Sequence, residues 1–219
     1  MKKLFLMLFC LFLASCDIKV STPVKVSDLF GAETKSVQAI LKFQLNGLES
    51  THEEQIQKIE QALKSKGIEA KYQNKTEIEN NQKLALFSTP LEVLKDSKKS
   101  TKNIYLVFEN NELSIRTSAK FSQLLQHENS KDAQFSGFNL LLTNDIEKDV
   151  YVKTYSVFVD DKPVFLNNYV VPSNATLNIA LSDVARNLIK NSSATYTVLL
   201  LNDDLEKLNK QSVNNLMGK

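Results

Sequence analysis

The sequence predicts an α+β fold, with a mixed α/β N-terminal half followed by a β-rich, immunoglobulin-like sandwich half. Three observations predict it. Hydrophobic residues alternate with polar ones in short segments along the chain, which is typical of half-buried strands. Two segments of the first half instead carry apolar residues at helical spacing. In the second half, five β-rich segments follow one another with turn residues between them, as in small sandwiches.

The predicted organisation has five parts, divided where composition changes. With 219 residues the chain is long enough for one large domain or two small ones. The polar run from Glu128 to Asp132 marks the boundary between the two halves. The parts are a lipoprotein signal peptide at 1–15, an acylated tether at 16–33, an α+β subdomain at 34–128, a sandwich-like subdomain at 134–202 and a C-terminal helix or tail at 203–219.

The N-terminus carries an export signal. Lys2 and Lys3 precede an uncharged run at 4–14, which is shorter than the roughly 20 residues that a membrane-spanning helix needs. The run ends in Leu13-Ala14-Ser15-Cys16, which resembles the lipobox of bacterial lipoproteins. That resemblance implies that Cys16 is acylated and becomes the first residue of the mature chain. The alternative is an ordinary secretory signal or a buried N-terminal helix.

The residues after Cys16 bear on localisation. Asp17 resembles the sorting signal that retains lipoproteins in the inner membrane, although a solvated acid is the alternative and the outer membrane stays open. Residues 17–33 span roughly 55 Å when extended, so they can serve as a tether. They can equally well add a strand to the folded body.

Cysteine content and charge exclude several classes of function. The chain has two cysteines, Cys10 and Cys16, so a processed and acylated chain has no free thiol for disulfides, zinc sites or nucleophilic catalysis. The net charge of +2 is too small for a nucleic-acid binder. Lys2 and Lys3 account for it, because removing them from 27 basic residues leaves 25 against 25 acidic ones.

In the first half, alternation over 37–45 predicts a strand, and Asn46-Gly47 predicts a turn. A capping box, Thr51 with Glu54 or Ser50 with Glu53, predicts a helix from about 51 to 66 that ends at Gly67. The remaining predicted elements of this half are strands at 68–73 and 83–88 with a polar loop between them, a hairpin of 103–109 and 112–117 linked by Asn110-Asn111, and a helix around Phe121.

In the second half, turn residues separate the five predicted strands. Asp160-Asp161 reverses the chain between two of them, and Pro172-Ser173-Asn174 does so again. Ser182 predicts the start of one helix, and Asp203 or Asp204 the start of the last. The strands are predicted at 138–143, 150–159, 163–171, 175–181 and 196–201.

Several segments resemble an uncharacterised family of proteobacterial and prophage-carried lipoproteins, known as a domain of unknown function. The segments are 21–29, 140–145, 149–150, 155–164 and 181–184. They are strand and turn patterns, so the resemblance implies location and architecture and adds no activity. Asp161-Lys162 stands where Asp-Gly is more usual in such a hairpin.

A search for catalytic and metal-binding residues assigns none. His52 and His127 have no partner at recognisable spacing for a catalytic dyad, so both are interpreted as surface histidines. Asp145, Glu147 and Asp149 alternate like calcium ligands, but the loop lacks the required glycine and bidentate glutamate. We interpret them as a solvated turn, with weak cation binding as the alternative, and predict no cofactor.

The remaining polar clusters are assigned to structure. The lysine-rich run 95–102 is interpreted as a loop, with contact to anionic headgroups or an acidic partner as the alternative. The acid pairs Asp160-Asp161 and Asp203-Asp204 suit turns and helix caps. The tyrosines on predicted strands are expected at core edges rather than in a binding stripe, and they are Tyr151, Tyr155, Tyr169 and Tyr196.

These observations predict a non-enzymatic binding or structural protein of the bacterial envelope. Its expected partners are membrane lipid, through acylated Cys16, and an envelope protein in the periplasm. The resemblance to prophage-carried lipoproteins suggests superinfection exclusion or envelope modulation as a concrete form. The alternative is an envelope hydrolase or small-ligand carrier that uses a cleft between the two halves.

Overall fold

Strands dominate the fold. The structure is a computed structural model that describes residues 18–31, 33–95, 100, 102–125, 135–185 and 196–209. The strands are β1 Ile18–Lys25, β2 Lys35–Leu45, β3 Lys71–Glu79, β4 Gln82–Leu94, β5 Ile104–Glu109, β6 Glu112–Thr117, β7 Phe135–Thr143, β8 Val150–Val159, β9 Lys162–Val171, β10 Thr176–Leu181 and β11 Tyr196–Asn202. The helices include α1 Val26–Phe30, α2 His52–Ser65 and α3 Ala119–Leu125, and a 3₁₀ turn at Glu49–Thr51 precedes α2.

All eleven strands belong to one sheet that closes on itself. Neighbouring strands follow the order β10-β7-β1-β2-β4-β5-β6-β11-β8, and β8 pairs again with β10 to complete the ring. Two strands lie beside this path, since β3 pairs with β4 and β9 pairs with β8. The eleven described strands therefore form one closed sheet, a barrel whose ring contains nine strands, with β3 and β9 added beside it.

The predicted α+β fold with an immunoglobulin-like sandwich is wrong. Strands of the two predicted halves pair with each other: β1 runs parallel to β7, and β6 runs antiparallel to β11. One closed sheet therefore replaces the α/β half and the separate sandwich. Alternating hydrophobicity shows that a strand buries one face, but it carries no information about which distant strand lies beside it.

β1 occupies much of the segment that we predicted as a tether at 16–33. It lies between β2 and β7, and Ile18, Val20 and Val24 are at most 2% exposed. The strand is followed directly by α1. Of the two alternatives for this segment, the structure contains the added strand, because its alternating valines fill the interior of the sheet.

The interior of the sheet is filled by side chains. Phe43, Phe87 and Phe138 are at most 2% exposed and belong to one continuous hydrophobic cluster. The rings of Phe43 and Phe87 meet edge to face with centroids 5.3 Å apart. This packing joins residues of both predicted halves into a single core.

The structure confirms several local predictions and corrects others. The hairpin β5–β6 turns at Asn110 and Asn111, which have φ angles of 51° and 63°. Helix α2 is confirmed, and Gly67 follows it with a φ of +67°. The predicted capping box is wrong, since no side chain caps this N-terminus. The predicted polar loop at 74–82 is instead the end of β3 and a hairpin turn into β4.

Ion pairs connect β3 with β1 and β2. Lys19 Nζ lies 2.7 Å from Glu79 Oε1. Lys42 Nζ lies 3.2 Å from Glu77 Oε2 and 3.4 Å from Glu79 Oε2. The hydrogen bond from Lys19 lowers the pKa of Glu79, and hydrogen bonds from Lys75 and Lys42 lower the pKa of Glu77.

These lowered pKa values predict a loss of stability in acid. A carboxylate whose pKa is lowered in the folded state stabilises the fold above its ordinary pKa of 4.5, and this stabilisation disappears as the pH falls through the folded value. We expect the free energy of unfolding of the wild type to decrease when the pH is lowered beneath about 4.5. In the double variant Lys19→Met/Lys42→Met, this decrease should be smaller by about 0.5–1 kcal/mol. Urea denaturation at a series of pH values measures this difference. The control Lys162→Met should keep the wild-type pH dependence, and equal pH dependence in all three proteins would contradict the prediction.

Candidate functional site

The hairpin of β8 and β9 carries the candidate site. Asp160 and Asp161 form its two-residue turn with φ angles of 46° and 64°, the left-handed values of a type I′ turn, which aspartate tolerates better than most residues. The register then runs without interruption from Val159 opposite Lys162 to Val150 opposite Val171. The prediction that this acid pair forms a turn is confirmed.

β9 has an open edge. Among the described residues it pairs with β8 alone, so its second edge faces no other strand. A two-residue turn closes on a hydrogen-bonded pair, and hydrogen-bonded and non-hydrogen-bonded positions then alternate along the ladder. Phe165, Asn167 and Tyr169 therefore direct their backbone N–H and C=O groups away from β8. These groups are available to an added strand.

The side chains of β9 are uncharged over most of its length. Lys162 is its one charged residue, and the nine residues from 163 to 171 carry no charge. Several of them are exposed and apolar, with Phe165 at 84% and Val170 at 54%. Phe158, the register partner of Pro163, adds a further exposed ring on β8 at 36%. The open edge is thus bordered by apolar surface.

β3 shows how the same fold protects another strand with one partner. β3 pairs with β4 alone among the described residues, and it carries charges at Lys71, Lys75, Glu77 and Glu79. Its register is also interrupted before Thr76. Charges and irregularities of this kind prevent edge-to-edge association. Pro163 removes one outward N–H group beside the turn, but β9 has no charge along 163–171 and its register shows no shift. Its edge from 164 to 171 therefore has the properties of a binding edge.

The C-terminal part of the chain approaches β9. Asn168 Nδ2 donates a hydrogen bond to Asn209 Oδ1 at 3.2 Å. This contact places the last described residue beside the middle of the strand. Residues 210–219 follow, and they lie outside the described part of the chain. Any test of the open edge must therefore distinguish a partner from this segment.

Of the histidines and the lipobox residues, the structure describes His52 alone. His52 begins α2, and neither of its ring nitrogens has a hydrogen-bond partner. Since a catalytic dyad requires a group that orients the imidazole, His52 lacks this feature of a general base. His127, Cys16 and Asp17 lie outside the described residues.

The acidic loop after β7 has a structural role at Asp145. Its carboxylate accepts hydrogen bonds from Ser27 N at 2.9 Å and Ser27 Oγ at 2.6 Å, at the start of α1. Partial burial opposes the charge of Asp145, but the hydrogen bonds from Ser27 outweigh it and lower the pKa. Glu147 and Asp149 are exposed. In the described ranges, no three His, Cys, Asp or Glu residues are grouped closely enough to hold a metal ion.

The acid pair Asp203-Asp204 is divided between two structural roles. Asp203 forms an ion pair with Lys148. Asp204 Oδ1 accepts hydrogen bonds from the backbone N–H groups of Glu206 at 2.9 Å and Lys207 at 3.2 Å. Asp204 therefore caps the helical turn at 205–209, as its position in the sequence predicts.

The lysine-rich run is attached to the body at both ends. Lys95 Nζ donates to the carbonyl oxygens of Asp28 and, at 2.7 Å, Leu29. Burial lowers the pKa of Lys95. At the other end, Lys102 Nζ lies 3.2 Å from Glu69 Oε2. Residues 96–99 and 101 lie outside the described part of the chain, so the predicted loop stays a prediction and contact with headgroups or an acidic partner stays its alternative.

The four tyrosines of the second half are half-buried, as expected for core edges. Tyr196 Oη donates a 2.6 Å hydrogen bond to the carbonyl oxygen of Tyr155. Burial raises the pKa of both phenols. Tyr169 packs against the main hydrophobic cluster from β9. These tyrosines therefore lie at the border between the hydrophobic core and solvent.

Sequence reasoning located β9 but missed its open edge. The segment has apolar residues on both faces, a pattern that equally describes a strand buried inside a sheet. The available signal was the comparison of its nine uncharged residues with the charged β3. This difference in charge indicates an unprotected edge only when both strands are known to have one partner each.

No helix in the described ranges is long and apolar enough to cross a membrane. A family model described as a domain of unknown function, DUF7424, matches residues 18–207. No curated protein and no solved structure matches the chain. The family match begins at the first residue of β1 and extends through the last strand, so it covers the whole closed sheet.

Proposed function

We propose, from the premise that the chain belongs to the DUF7424 family, that it is a lipid-anchored, non-enzymatic binding protein of the bacterial envelope. The finer assignment to proteobacterial and prophage-carried lipoproteins is part of this proposal. The proposed anchoring rests on the N-terminal sequence, and the proposed binding role rests on the open edge of β9. Superinfection exclusion or envelope modulation is the form of activity that we favour.

The anchoring step is supported by the position of the folded domain. Both β1 and the family match begin at Ile18, two residues after Cys16. A leader that is cleaved before Cys16 would therefore be removed without loss of any described part of the sheet. Acylation of Cys16 then holds the domain at the membrane, facing the periplasm, and Asp17 favours the inner membrane.

The binding step is carried by the uncharged, open edge of β9. An added strand gains main-chain hydrogen bonds from Phe165, Asn167 and Tyr169, while alternate side chains provide specificity. The exposed apolar residues at 158, 165 and 170 favour a partner segment with apolar side chains. We therefore expect an extended, uncharged segment of an envelope protein as the partner.

The absence of assembled catalytic groups in the described residues supports a binding role. Neither nitrogen of His52 has a partner, and no metal-binding group of acids, histidines and cysteines is formed there. The interior is occupied by side chains of the core, including Phe43, Phe87 and Phe138.

Strand addition predicts that one backbone N–H controls capture of the partner. We place a photoreactive phenylalanine derivative at Phe165 and irradiate cells that produce the full chain. We expect a crosslinked product that falls about tenfold in Asn167→Pro, because this change removes an outward N–H and leaves the ladder to β8 intact. Electrophoresis and mass spectrometry of the product measure the change.

The same probe at Lys75 on β3 is the matched control and should give no product, because that edge is protected by charge. Equal products at positions 165 and 75, or a product that Asn167→Pro leaves unchanged, would contradict strand addition. A product that joins position 165 to residues 210–219 of the same chain would show that the C-terminal segment covers the edge, and the proposed binding edge would be wrong.

A further inference from the structure

The start of β1 is held firmly in the sheet close to the anchor. Ile18 is 2% exposed and pairs with Phe43 on β2 and Phe135 on β7. Cys16 lies two residues earlier, and two residues span at most about 7 Å. An acyl group on Cys16 therefore keeps this end of the sheet near the bilayer surface, without the long tether that the sequence allowed.

Strand register places Ile78 at the same end of the sheet. Phe43, the partner of Ile18, is followed two residues later by Leu45, which pairs with Lys83 on β4. Lys83 in turn pairs with Ile78 on β3. Leu45 lies two positions beyond the pair of Ile18 and Phe43, on the side from which the chain enters β1. Ile78 thus lies beyond the first described residue of β1, at the end of the sheet that is nearest to Cys16 in the sequence.

Two ion pairs hold this end together in three dimensions. Lys19 on β1 contacts Glu79 on β3 at 2.7 Å, which brings the residue after Ile78 within side-chain reach of the start of β1. Lys83, the register partner of Ile78, contacts Glu49 at 2.5 Å. Leu48 precedes Glu49 in the chain, so this ion pair brings it close to Ile78. Leu48 and Ile78 therefore both lie at the anchor end.

Leu48 and Ile78 are exposed apolar residues at this end. Leu48 is 76% exposed and Ile78 is 79% exposed. We name the surface that they form with Glu49, Lys83 and the start of β1 the anchor-side rim.

The charges around the anchor-side rim are matched. The acids at 49, 77 and 79 are all paired with lysines. Those lysines are at positions 19, 42, 75 and 83, so three acids are paired with four lysines. A surface whose charges are paired and nearly balanced is neither strongly attracted to anionic headgroups nor repelled by them. Apolar contact therefore decides how the rim meets the bilayer.

We propose that the anchor-side rim lies on the membrane, with Leu48 and Ile78 inserted at the boundary between headgroups and acyl chains. The proposal rests on the acylation of Cys16 proposed above. Because at most about 7 Å of chain separates Cys16 from Ile18, an acylated protein holds the rim at a high effective concentration beside the lipid. Two apolar side chains therefore suffice to orient the domain. The lipid surface thus sets the orientation as well as the location of the barrel.

The test uses the full, processed chain in vesicles of phosphatidylethanolamine and phosphatidylglycerol. Because Cys16 is acylated and Cys10 is removed, a cysteine introduced by Leu48→Cys or Ile78→Cys is the one thiol for an environment-sensitive fluorophore. Thr176→Cys is the matched control, since Thr176 is exposed and pairs with Thr143, which pairs with Lys25 at the opposite end of β1. We expect brominated acyl chains to quench labels at 48 and 78 about twofold and to leave the label at 176 unchanged.

The outcomes separate the rim from the anchor. Wild-type protein that takes up no palmitate and does not float with vesicles overturns both the anchor and the rim. If the protein floats with vesicles but both labels stay in water, the rim alone is overturned. The same follows if brominated lipid quenches all three labels equally. Labels at 48 and 78 that are shielded from water but not quenched by brominated lipid show a protein neighbour instead, which also overturns it.

Discussion

Cys16→Ala is expected to abolish incorporation of labelled palmitate and to remove the protein from the membrane fraction. The thiol is the acyl acceptor in the proposed anchor, and alanine offers no nucleophile. Two or three acyl chains, each contributing about 0.8 kcal/mol per buried CH₂, hold a protein almost irreversibly, so their loss is an all-or-none effect. Metabolic labelling and membrane fractionation measure it.

Ser15→Ala is the matched control for Cys16→Ala, because it keeps a small residue before the cysteine and should preserve labelling. Palmitate incorporation that survives in Cys16→Ala would show that the resemblance to a lipobox is misleading. In that case the orientation of the anchor-side rim would lose its basis, whereas the open edge of β9 would be unaffected.

Val20→Asp is expected to prevent stable folding of the whole barrel. Val20 is 1% exposed and lies between Leu41 on β2 and Phe138 on β7. A carboxylate at this position has no charged partner on the paired strands, and burying it costs several kcal/mol. Because domains are stable by about 5–15 kcal/mol in total, we expect the loss of a cooperative urea transition.

Ser21→Asp provides the control for Val20→Asp. Ser21 follows in the same strand but points to the opposite face, where its side chain is half-buried. We expect it to lower the free energy of unfolding by no more than about 1 kcal/mol. If both variants unfolded at the same urea concentration, β1 would contribute little to the barrel, and the segment would behave as the tether predicted from sequence.

Local sequence patterns located most strands because those patterns depend on residues close together in the chain. Alternation over 150–159 predicts β8 with its observed bounds. The turns at Asn110-Asn111 and Asp160-Asp161 were also recognisable, since Asn and Asp adopt the positive φ that a two-residue turn requires. β3 was displaced, because its lysines and glutamates resemble a polar loop.

The pairing of strands was not predictable in the same way. β1 carries Ile18, Val20 and Val24 at alternate positions, which fits an extended tether with a few valines as well as a central strand. One of its two partners, β7, begins at residue 135, far away in the chain. The strand-like patterns of the second half, separated by turn residues, are also typical of a separate sandwich domain.

The candidate sites differ in the same respect. Cys16 is a candidate from four adjacent residues, so sequence alone suffices to propose it. The edge of β9 becomes a candidate only through the absence of a second strand beside it among the described residues. The anchor-side rim depends on the register that connects Ile18, Phe43 and Ile78 across four strands.

The sequence by itself determined the positions of most strands and turns, the balance of charge and the cysteine on which the proposed anchor depends. These properties arise from neighbouring residues and from composition. Only the tertiary structure decided that residues 18–25 belong to the sheet, that both halves share one core, and that β9 has one partner strand among the described residues. Such features depend on contacts between residues far apart in the chain, which local periodicity does not encode.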